Sequence, residues 1–197
     1  MKKYFRLMLA GALALVMILS LVSCGSSLEM SDVEDALEEY AEDNEGEYYF
    51  SSDVEEVTGF DKKNAIKALE AGAAEVAELK EGVASAAVFM DADEFSCIIV
   101  EFENKSDAKK VGKALEDGIE DAITAAYIEY FKLYAKEMGK EDDFDKAAVK
   151  ERVEGIMDEI IEEFFDDDFA VETQGNIVFF GAKDVVDTAL ETIEDAK

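Results

Sequence analysis

Residues 83–102 read VASAAVFMDADEFSCIIVEF, and this stretch predicts a β-hairpin. Its two arms, Val83 to Met90 and Phe95 to Phe102, are runs of β-branched and aromatic residues. Polar residues at 91–94 separate the arms and supply the turn. We therefore expect the fold to contain an antiparallel sheet.

In the second arm, apolar residues occupy both faces of the predicted strand. Ile98, Val100 and Phe102 share one face, and Cys97 and Ile99 share the other. A strand that is apolar on both faces is typical of a sheet with a cover on each side. We expect this arm to be a central strand.

Helical patterns flank this hairpin on both sides. Before it, Ser31 and Glu34 have the spacing of a capping box and predict the start of a short acidic helix. A second helix is predicted from Asp61 to about Lys80, in a stretch rich in Ala and Gly that allows close packing. After the hairpin, apolar residues at three-and-four spacing predict the longest helix, over 106–139.

The long helix has Gly112 and Gly118 as candidate kinks. A further helix over 145–164 carries its own apolar stripe. The two stripes are expected to face each other in an antiparallel helical hairpin.

A second β-hairpin is predicted near the C-terminus. Phe169 to Thr173 and Asn176 to Phe180 flank Gln174-Gly175, and a final helix follows over 184–194. The sequence therefore predicts an α+β fold with a small, mainly antiparallel four-stranded sheet, a long helical hairpin and flanking helices. Because helix, hairpin and helix occur twice in order, an internal duplication is a hypothesis for the structure to test.

Composition limits the functions open to the chain. It has 197 residues, 49% of them hydrophobic, which suits one domain with a buried core. With 19 Lys plus Arg against 49 Asp plus Glu, its formal charge is −30, and it contains no His. The lack of His excludes His-dependent triads and His-bearing zinc sites. Nucleic acid is not an expected partner, because a phosphate backbone repels so acidic a surface.

The N-terminus has the form of a secretory signal. A basic start at residues 2–6 precedes an apolar run over residues 7–22. The run ends in Leu21-Val22-Ser23-Cys24, which resembles the lipobox of bacterial lipoprotein precursors. An uncleaved transmembrane helix is the alternative, but a run of 16 residues is short of the about 20 that a span needs.

The resemblance implies that the Cys24 sulfur receives a diacylglyceryl group and that the chain is cut before Cys24. It implies a location on the outer face of the bacterial cell membrane. A thiolate is nucleophilic enough to take a lipid as a thioether. Two acyl chains hold a soluble domain at a membrane stably, whereas one does not. The expected partner is therefore the membrane itself, to which the chain is attached through the lipid on Cys24.

These features divide the chain into a signal peptide (1–23), a lipidated tether (24–30) and a single acidic α+β domain (31–197). Cleavage removes three basic residues, so the mature chain carries 16 basic and 49 acidic residues, a charge of −33. Anionic headgroups repel such a domain. Attachment is therefore expected to rest on the lipid anchor.

The mature part is also similar to the uncharacterised small lipoproteins of Gram-positive gut anaerobes, which pair a lipobox with an acidic domain. The likeness includes Ala87-Val88-Phe89, Asp107-Ala108-Lys109-Lys110-Val111 and Gly175-Asn176-Ile177-Val178. Those families have no agreed activity, so this resemblance implies no function.

Two acidic clusters are the candidate metal sites. Asp91, Asp93 and Glu94 lie on the first predicted turn and could offer oxygens to Ca²⁺, but the EF-hand pattern fails there and a solvated turn is favoured. Asp166, Asp167 and Asp168 form the densest carboxylate run, whose repulsion a cation would relieve. A plain acidic surface is the favoured interpretation of this run, and no cofactor is expected.

Cys97 and the aromatic residues complete the candidates. Nothing basic lies near Cys97 in the sequence, so a small buried hydrophobe is favoured over a reactive thiol. Tyr127, Tyr130, Phe131 and Tyr134 have helical spacing, which favours core packing over an aromatic binding face, with Tyr127 and Phe131 the better candidates for exposure. The run Tyr48 to Phe50 is too short for more than a possible strand.

No catalytic constellation is present in the sequence. We therefore expect a non-enzymatic, lipid-anchored binding or interaction module of the cell envelope, with an envelope protein or a second copy of the chain as possible partner. A small solute-binding or cation-binding lipoprotein is one alternative. A His-free, metal-dependent hydrolase that uses carboxylates is the other.

Overall fold

The computed structural model describes residues 28–51, 62–93, 95–140, 144–165 and 169–196. Within these ranges the fold is α+β, as predicted, with helices on both faces of an antiparallel sheet. Among the described residues, none of the helices combines the length and apolar composition needed to cross a membrane. The elements in chain order are α1 (Met30–Asp43), β1 (Tyr48–Ser51), α2 (Lys62–Val76), β2 (Val83–Asp91), β3 (Ser96–Phe102), α3 (Lys105–Asp117), α4 (Glu120–Glu137), α5 (Lys146–Gly155), α6 (Met157–Phe165), β4 (Phe169–Gln174), β5 (Ile177–Ala182) and α7 (Lys183–Asp195).

Within the described ranges the sheet has five strands in the order β1-β2-β3-β5-β4, and every neighbouring pair is antiparallel. Both predicted hairpins are present, as β2–β3 and β4–β5. The strand β3 lies at the centre of the sheet, as its two apolar faces predicted.

The prediction of four strands was wrong by one, because β1 adds an edge strand beside β2. This strand is short, and its aromatic contacts hold it in place. The ring of Tyr48 stacks on Phe89 of β2 with centroids 5.3 Å apart, and Tyr40 of α1 meets Tyr48 edge-on at the same separation. Pairs of this kind contribute about 0.5–1.5 kcal/mol beyond their buried area.

Two hydrophobic cores lie on opposite faces of the sheet. In the first core, the five helices from α2 through α6 pack against one face of the sheet, which includes Val100, Phe102 and Val178. The second core joins α1 and α7 to the other face, which includes Ile99 and Phe179. The alternation along β3 predicted this division of its side chains.

The long predicted helix is two helices. Its first part ends at Asp117, and Gly118 takes an extended conformation with φ 167° and ψ 127° before α4 begins at Glu120. The predicted second helix is likewise divided, with Ile156 between α5 and α6. The helix α4 contacts α5, as a helical hairpin requires, but its most extensive contact is with α2.

The faces of the sheet argue against an internal duplication. Because β3 and β5 are antiparallel neighbours, two equivalent halves would place the helices that follow them on the same face. Instead α3 packs in the first core and α7 in the second.

The domain begins slightly before its predicted start. Leu28 and Met30 are buried in the second core, and α1 starts at Met30 with Glu29 as its N-cap and no side-chain cap hydrogen bond. The predicted capping box of Ser31 and Glu34 was therefore wrong, because burial of Met30 sets the start of the helix earlier.

The start of α3 carries a buried carboxylate. Asn104 is the N-cap and its side chain accepts from the Asp107 amide at 2.9 Å, while Asp107 Oδ2 accepts from Asn104 Nδ2 at 2.9 Å. The same oxygen accepts from the backbone N–H groups of Lys80 and Glu81 at 2.8 and 3.0 Å. Asp107 thereby ties the connection between α2 and β2 to α3. The Glu81 amide, above all, holds the pKa of this carboxyl below its usual value.

Candidate functional site

A cavity of about 400 Å³ lies between the helix pair α2–α4 and the first-core face of the sheet. This volume is within the range of about 300–1,000 Å³ that is typical of small-molecule sites. Its lining is shared by the two helices, the three strands at the middle of the sheet, and residues of α3 and α6. The residues are Ala68, Leu69, Gly72, Ala73, Ala86, Ala87, Val88, Met90, Ser96, Ile98, Val100, Phe102, Val111, Leu115, Ile119, Ala122, Ile123, Ala126, Tyr127, Tyr130, Ile160, Val178 and Phe180.

Small side chains on α2 and α4 line the side of the cavity that lies opposite the sheet. A Cβ atom added at Gly72 of α2 would stand 2.6 Å from the backbone oxygen of Ala122 and 3.3 Å from Cβ of Ala126, both on α4. The helices therefore approach each other closely here. They run antiparallel, since Asn64 near the start of α2 donates a hydrogen bond to Glu137 Oε1 at the end of α4.

The side chains that face the sheet are equally short. Ala68 on α2 and Ala86 on β2 line the cavity from opposite sides, and both are almost fully buried. Packed sheets lie about 10 Å apart and packed helices about 8–10 Å apart. Methyl groups fill little of a distance of this size between a helix layer and a sheet. The sequence thus leaves a space that longer side chains would fill.

An aromatic cluster leads from the cavity lining to the surface. Tyr127 and Tyr130 line the cavity, and Phe131 and Tyr134 are exposed to 37% and 49%. Ring centroids lie 6.3 Å apart for Tyr127–Phe131, 5.5 Å for Tyr130–Phe131 and 6.3 Å for Tyr130–Tyr134. We name these four residues the aromatic cluster. Burial, followed by the proximity of Tyr134 and Glu137, raises the pKa of the Tyr130 phenol.

Among the residues that the structure describes, the lining carries no charged side chain and few polar groups, which are the hydroxyls of Ser96, Tyr127 and Tyr130. Water is a poor filler for such a space, because a buried water molecule needs two to four polar partners. Left unfilled, an apolar space lowers stability, because the side chains around it lose packing contacts.

A second cavity, of about 510 Å³, lies beside the start of α1 and the start of α3. It is lined by charged and amide side chains, including Glu101, Glu103 and Asn176. Asn176 donates to Glu101 Oε1 at 3.2 Å and to the Phe102 carbonyl at 3.0 Å, so its amide fixes the end of β3. The apolar cavity is the better ligand site, because ligand pockets are lined mainly by apolar side chains.

The acidic candidates form no site within the described residues. Asp91 Oδ1 accepts from the backbone N–H groups of Asp93 and Phe95, each at 3.0 Å, which is the geometry of a turn. Asp93 is exposed. Across the part of the chain that the structure describes, no three His, Cys, Asp or Glu side chains are grouped to hold a metal ion. Cys24, Glu94 and the run 166–168 lie outside the described residues.

Cys97 is a free, fully buried thiol in the second core, as predicted. Burial raises the pKa of the Cys97 thiol far above its usual value, so it is not a nucleophile at neutral pH.

The aromatic residues were predicted in part. Phe131 is exposed, as expected, but Tyr127 is partly buried and packs in the first core, and Tyr134, which was expected to pack in the core, is 49% exposed. The expectation that Tyr127 is exposed was wrong, because the main partner of α4 is α2 and this turns the buried face of α4 toward Tyr127. The cavity itself was missed. Its signal was the Ala- and Gly-rich sequence of α2, which we interpreted as close packing alone.

No protein-family model matches the chain, and no curated protein or solved structure is significantly similar to it.

Proposed function

We propose that the protein is a lipid-anchored, non-enzymatic binding module on the outer face of a bacterial cell membrane, and that it holds a small apolar molecule in the cavity. The observation that carries the proposal is the cavity of about 400 Å³, with its uncharged lining and its link to the surface through the aromatic cluster. A site of this kind binds by removing apolar surface from water, at about 25 cal/mol per Å².

The lipobox supports the anchored location. Since Leu28 is already buried in the second core, residues 24–27 would form the tether between the lipid and the domain. A tether of four residues spans at most about 14 Å, so the domain would stay close to the headgroups. A binding module at that distance would meet apolar molecules as they leave the membrane.

The two alternatives have less support. A cation-binding role would rest on the acidic clusters, and Asp91 already accepts two backbone hydrogen bonds in its turn. A carboxylate-dependent hydrolase needs a pair of acidic groups across a cleft, whereas the described part of the apolar cavity's lining contains no carboxylate.

Substitutions in α2 test the binding site. Ala68→Leu adds three carbon atoms inside the cavity, and Ala74→Leu adds the same atoms at an exposed position of the same helix. A soluble form that begins at Gly25 keeps every described residue. We expect it to bind the uncharged fluorophore N-phenylnaphthylamine saturably. Ala68→Leu should weaken that binding by about tenfold or more, equivalent to about 1.4 kcal/mol, and Ala74→Leu should leave it unchanged.

The melting temperature of the same variants tests whether the space exists. A leucine that enters a cavity does not lower stability, whereas one forced into a filled core typically costs about 1–3 kcal/mol. A large fall in the melting temperature of Ala68→Leu, or equal fluorophore binding by both variants, contradicts the proposed site.

Labelling of Cys24 tests the anchor. Wild-type protein produced in a bacterium should incorporate radioactive palmitate and sediment with membranes. Cys24→Ala should abolish the label and leave uncleaved precursor or shed protein. Wild-type protein found in the cytosol with an intact N-terminus would contradict the anchored location, whatever the cavity binds.

A further inference from the structure

The cavity is long as well as apolar. Along α4 its lining runs from Ile119 to Tyr130, which is about 16 Å at a rise of about 1.5 Å per residue. On the sheet side it crosses β2, β3 and β5, since residues of all three strands line it. A space with this extent along a helix suits an extended molecule better than a compact one.

The two ends of the lining differ in chemistry. Near Ile119 and Ala73 every lining side chain is apolar. At the other end stand Tyr127 and Tyr130, whose rings continue into the exposed Phe131 and Tyr134. Tyrosine combines an apolar ring with a polar hydroxyl and is typical of a boundary between apolar and wet surroundings. The polar end of a bound molecule would therefore lie at the aromatic cluster.

Charge restricts what that polar end carries. The mature chain has a formal charge of −33, which repels anionic amphiphiles such as carboxylates and phosphates. The same charge attracts cations, but no described residue of the lining is a carboxylate that could pair with a cationic end, and burying an unpaired charge is costly. An uncharged, hydrogen-bonding end avoids both costs.

From length, polarity and charge together, we infer that the cavity takes a single unbranched hydrocarbon chain whose uncharged polar head lies at the aromatic cluster. The ligand class is an uncharged single-chain lipid. This inference rests on the proposed binding function, because it names the ligand of the same cavity.

Photocrosslinking on the full-length lipoprotein in nanodiscs tests the inference at residue level. Three probes carry the same myristyl chain with a diazirine near its end and differ in their head, which is an alcohol, a carboxylate or a trimethylammonium group. Crosslinked peptides are located by mass spectrometry, so probe dissolved in the bilayer does not interfere. We expect the alcohol to label residues 68–73 and 119–130 at least several-fold more than either charged probe.

The matched variants sharpen the result. Ala68→Leu should reduce labelling of the cavity peptides by the alcohol several-fold, and Ala74→Leu should not. Cavity labelling by the carboxylate or the ammonium probe that equals or exceeds labelling by the alcohol overturns the inference on the ligand but leaves the binding function standing. Absence of cavity labelling by all three probes overturns both.

Discussion

At the scale of single residues, Asp107 shows how a charge is retained inside this acidic protein. Its side chain is fully buried, yet Oδ2 accepts three hydrogen bonds and the Lys110 ammonium lies 3.8 Å from Oδ1. Hydrogen bonds to the ionised form favour ionisation, which explains the lowered pKa.

We predict that Asp107→Asn lowers the melting temperature at neutral pH by several degrees, because the amide cannot accept all three hydrogen bonds. The sign of the pH dependence follows from the lowered pKa. The stabilisation is present above the unfolded value of 3.8 and is lost as the pH falls through the lower, folded value. The difference between variant and wild type should therefore shrink in acid.

Asp184→Asn is the matched control, since Asp184 is an exposed carboxylate in the first turn of α7. Thermal melts followed by circular dichroism at several pH values measure both variants. Equal effects of the two substitutions would show that Asp107 is no more important than a surface carboxylate.

The pKa of the Glu172 carboxyl, on the edge strand β4, is shifted in the opposite direction. Burial, followed by Asp187 on α7 and Glu116 on α3, raises its pKa above 4.5. The folded state therefore binds the proton more tightly than the unfolded state, and stability is lost as the pH rises through the folded pKa. We predict that Glu172→Gln raises the melting temperature at neutral pH and has no effect below about pH 4. Glu194→Gln, at an exposed position, measures the general effect of removing one charge. A gain in melting temperature for Glu172→Gln that is no larger than the gain for Glu194→Gln would refute the prediction.

At the scale of elements, the crossing of α2 and α4 depends on Gly72. In an exposed helix interior, Gly→Ala stabilises by about 1 kcal/mol. Here the added Cβ would stand 2.6 Å from the Ala122 carbonyl oxygen, so the helices must separate. We predict that Gly72→Ala lowers the free energy of unfolding measured by urea denaturation. Gly155→Ala, where the added Cβ meets nothing within 4 Å, should be neutral or stabilising. A stabilising Gly72→Ala would contradict the close crossing.

The elements were predicted where their pattern is local. Both hairpins follow from runs of β-branched and aromatic residues on either side of a polar turn, and Gly118 marked the break between α3 and α4. The strand β1 carries too little pattern in four residues, and its place depends on the stacking of Tyr48 on Phe89, which is distant in sequence. The packing of α4 mainly against α2 also depends on residues that are distant in sequence. The spacing of apolar residues within α4 does not reveal it.

The cavity could not be predicted for a related reason. Its volume depends on how far the α2–α4 pair stands from the sheet, and this distance is set by residues from several elements at once. Ala68, Gly72 and Ala86 each favour close packing when taken alone. Only their arrangement leaves a space beneath the helices.

At the scale of the whole molecule, the formal charge of −30 makes the protein repel itself. We predict that NaCl raises the melting temperature by screening, since the Debye length falls from about 10 Å at 0.1 M to about 3 Å at 1 M. Millimolar Ca²⁺ should do no more than NaCl at matched ionic strength. A saturable Ca²⁺ effect that disappears in Asp166→Asn with Asp168→Asn would reveal a specific cation site.

The central claim is that the first core contains a ligand-sized apolar space. Xenon binds such spaces without needing any polar contact. The most direct test is therefore a titration with dissolved xenon of the soluble form that begins at Gly25, followed by methyl and amide NMR signals. We predict saturable shifts at Ala68, Ala86, Ile98 and Ala126, and weaker shifts at Ala86, Ile98 and Ala126 in Ala68→Leu but not in Ala74→Leu. Shifts that grow linearly without saturation, or that appear only in the second core at residues such as Ile99 and Phe179, would contradict the claim.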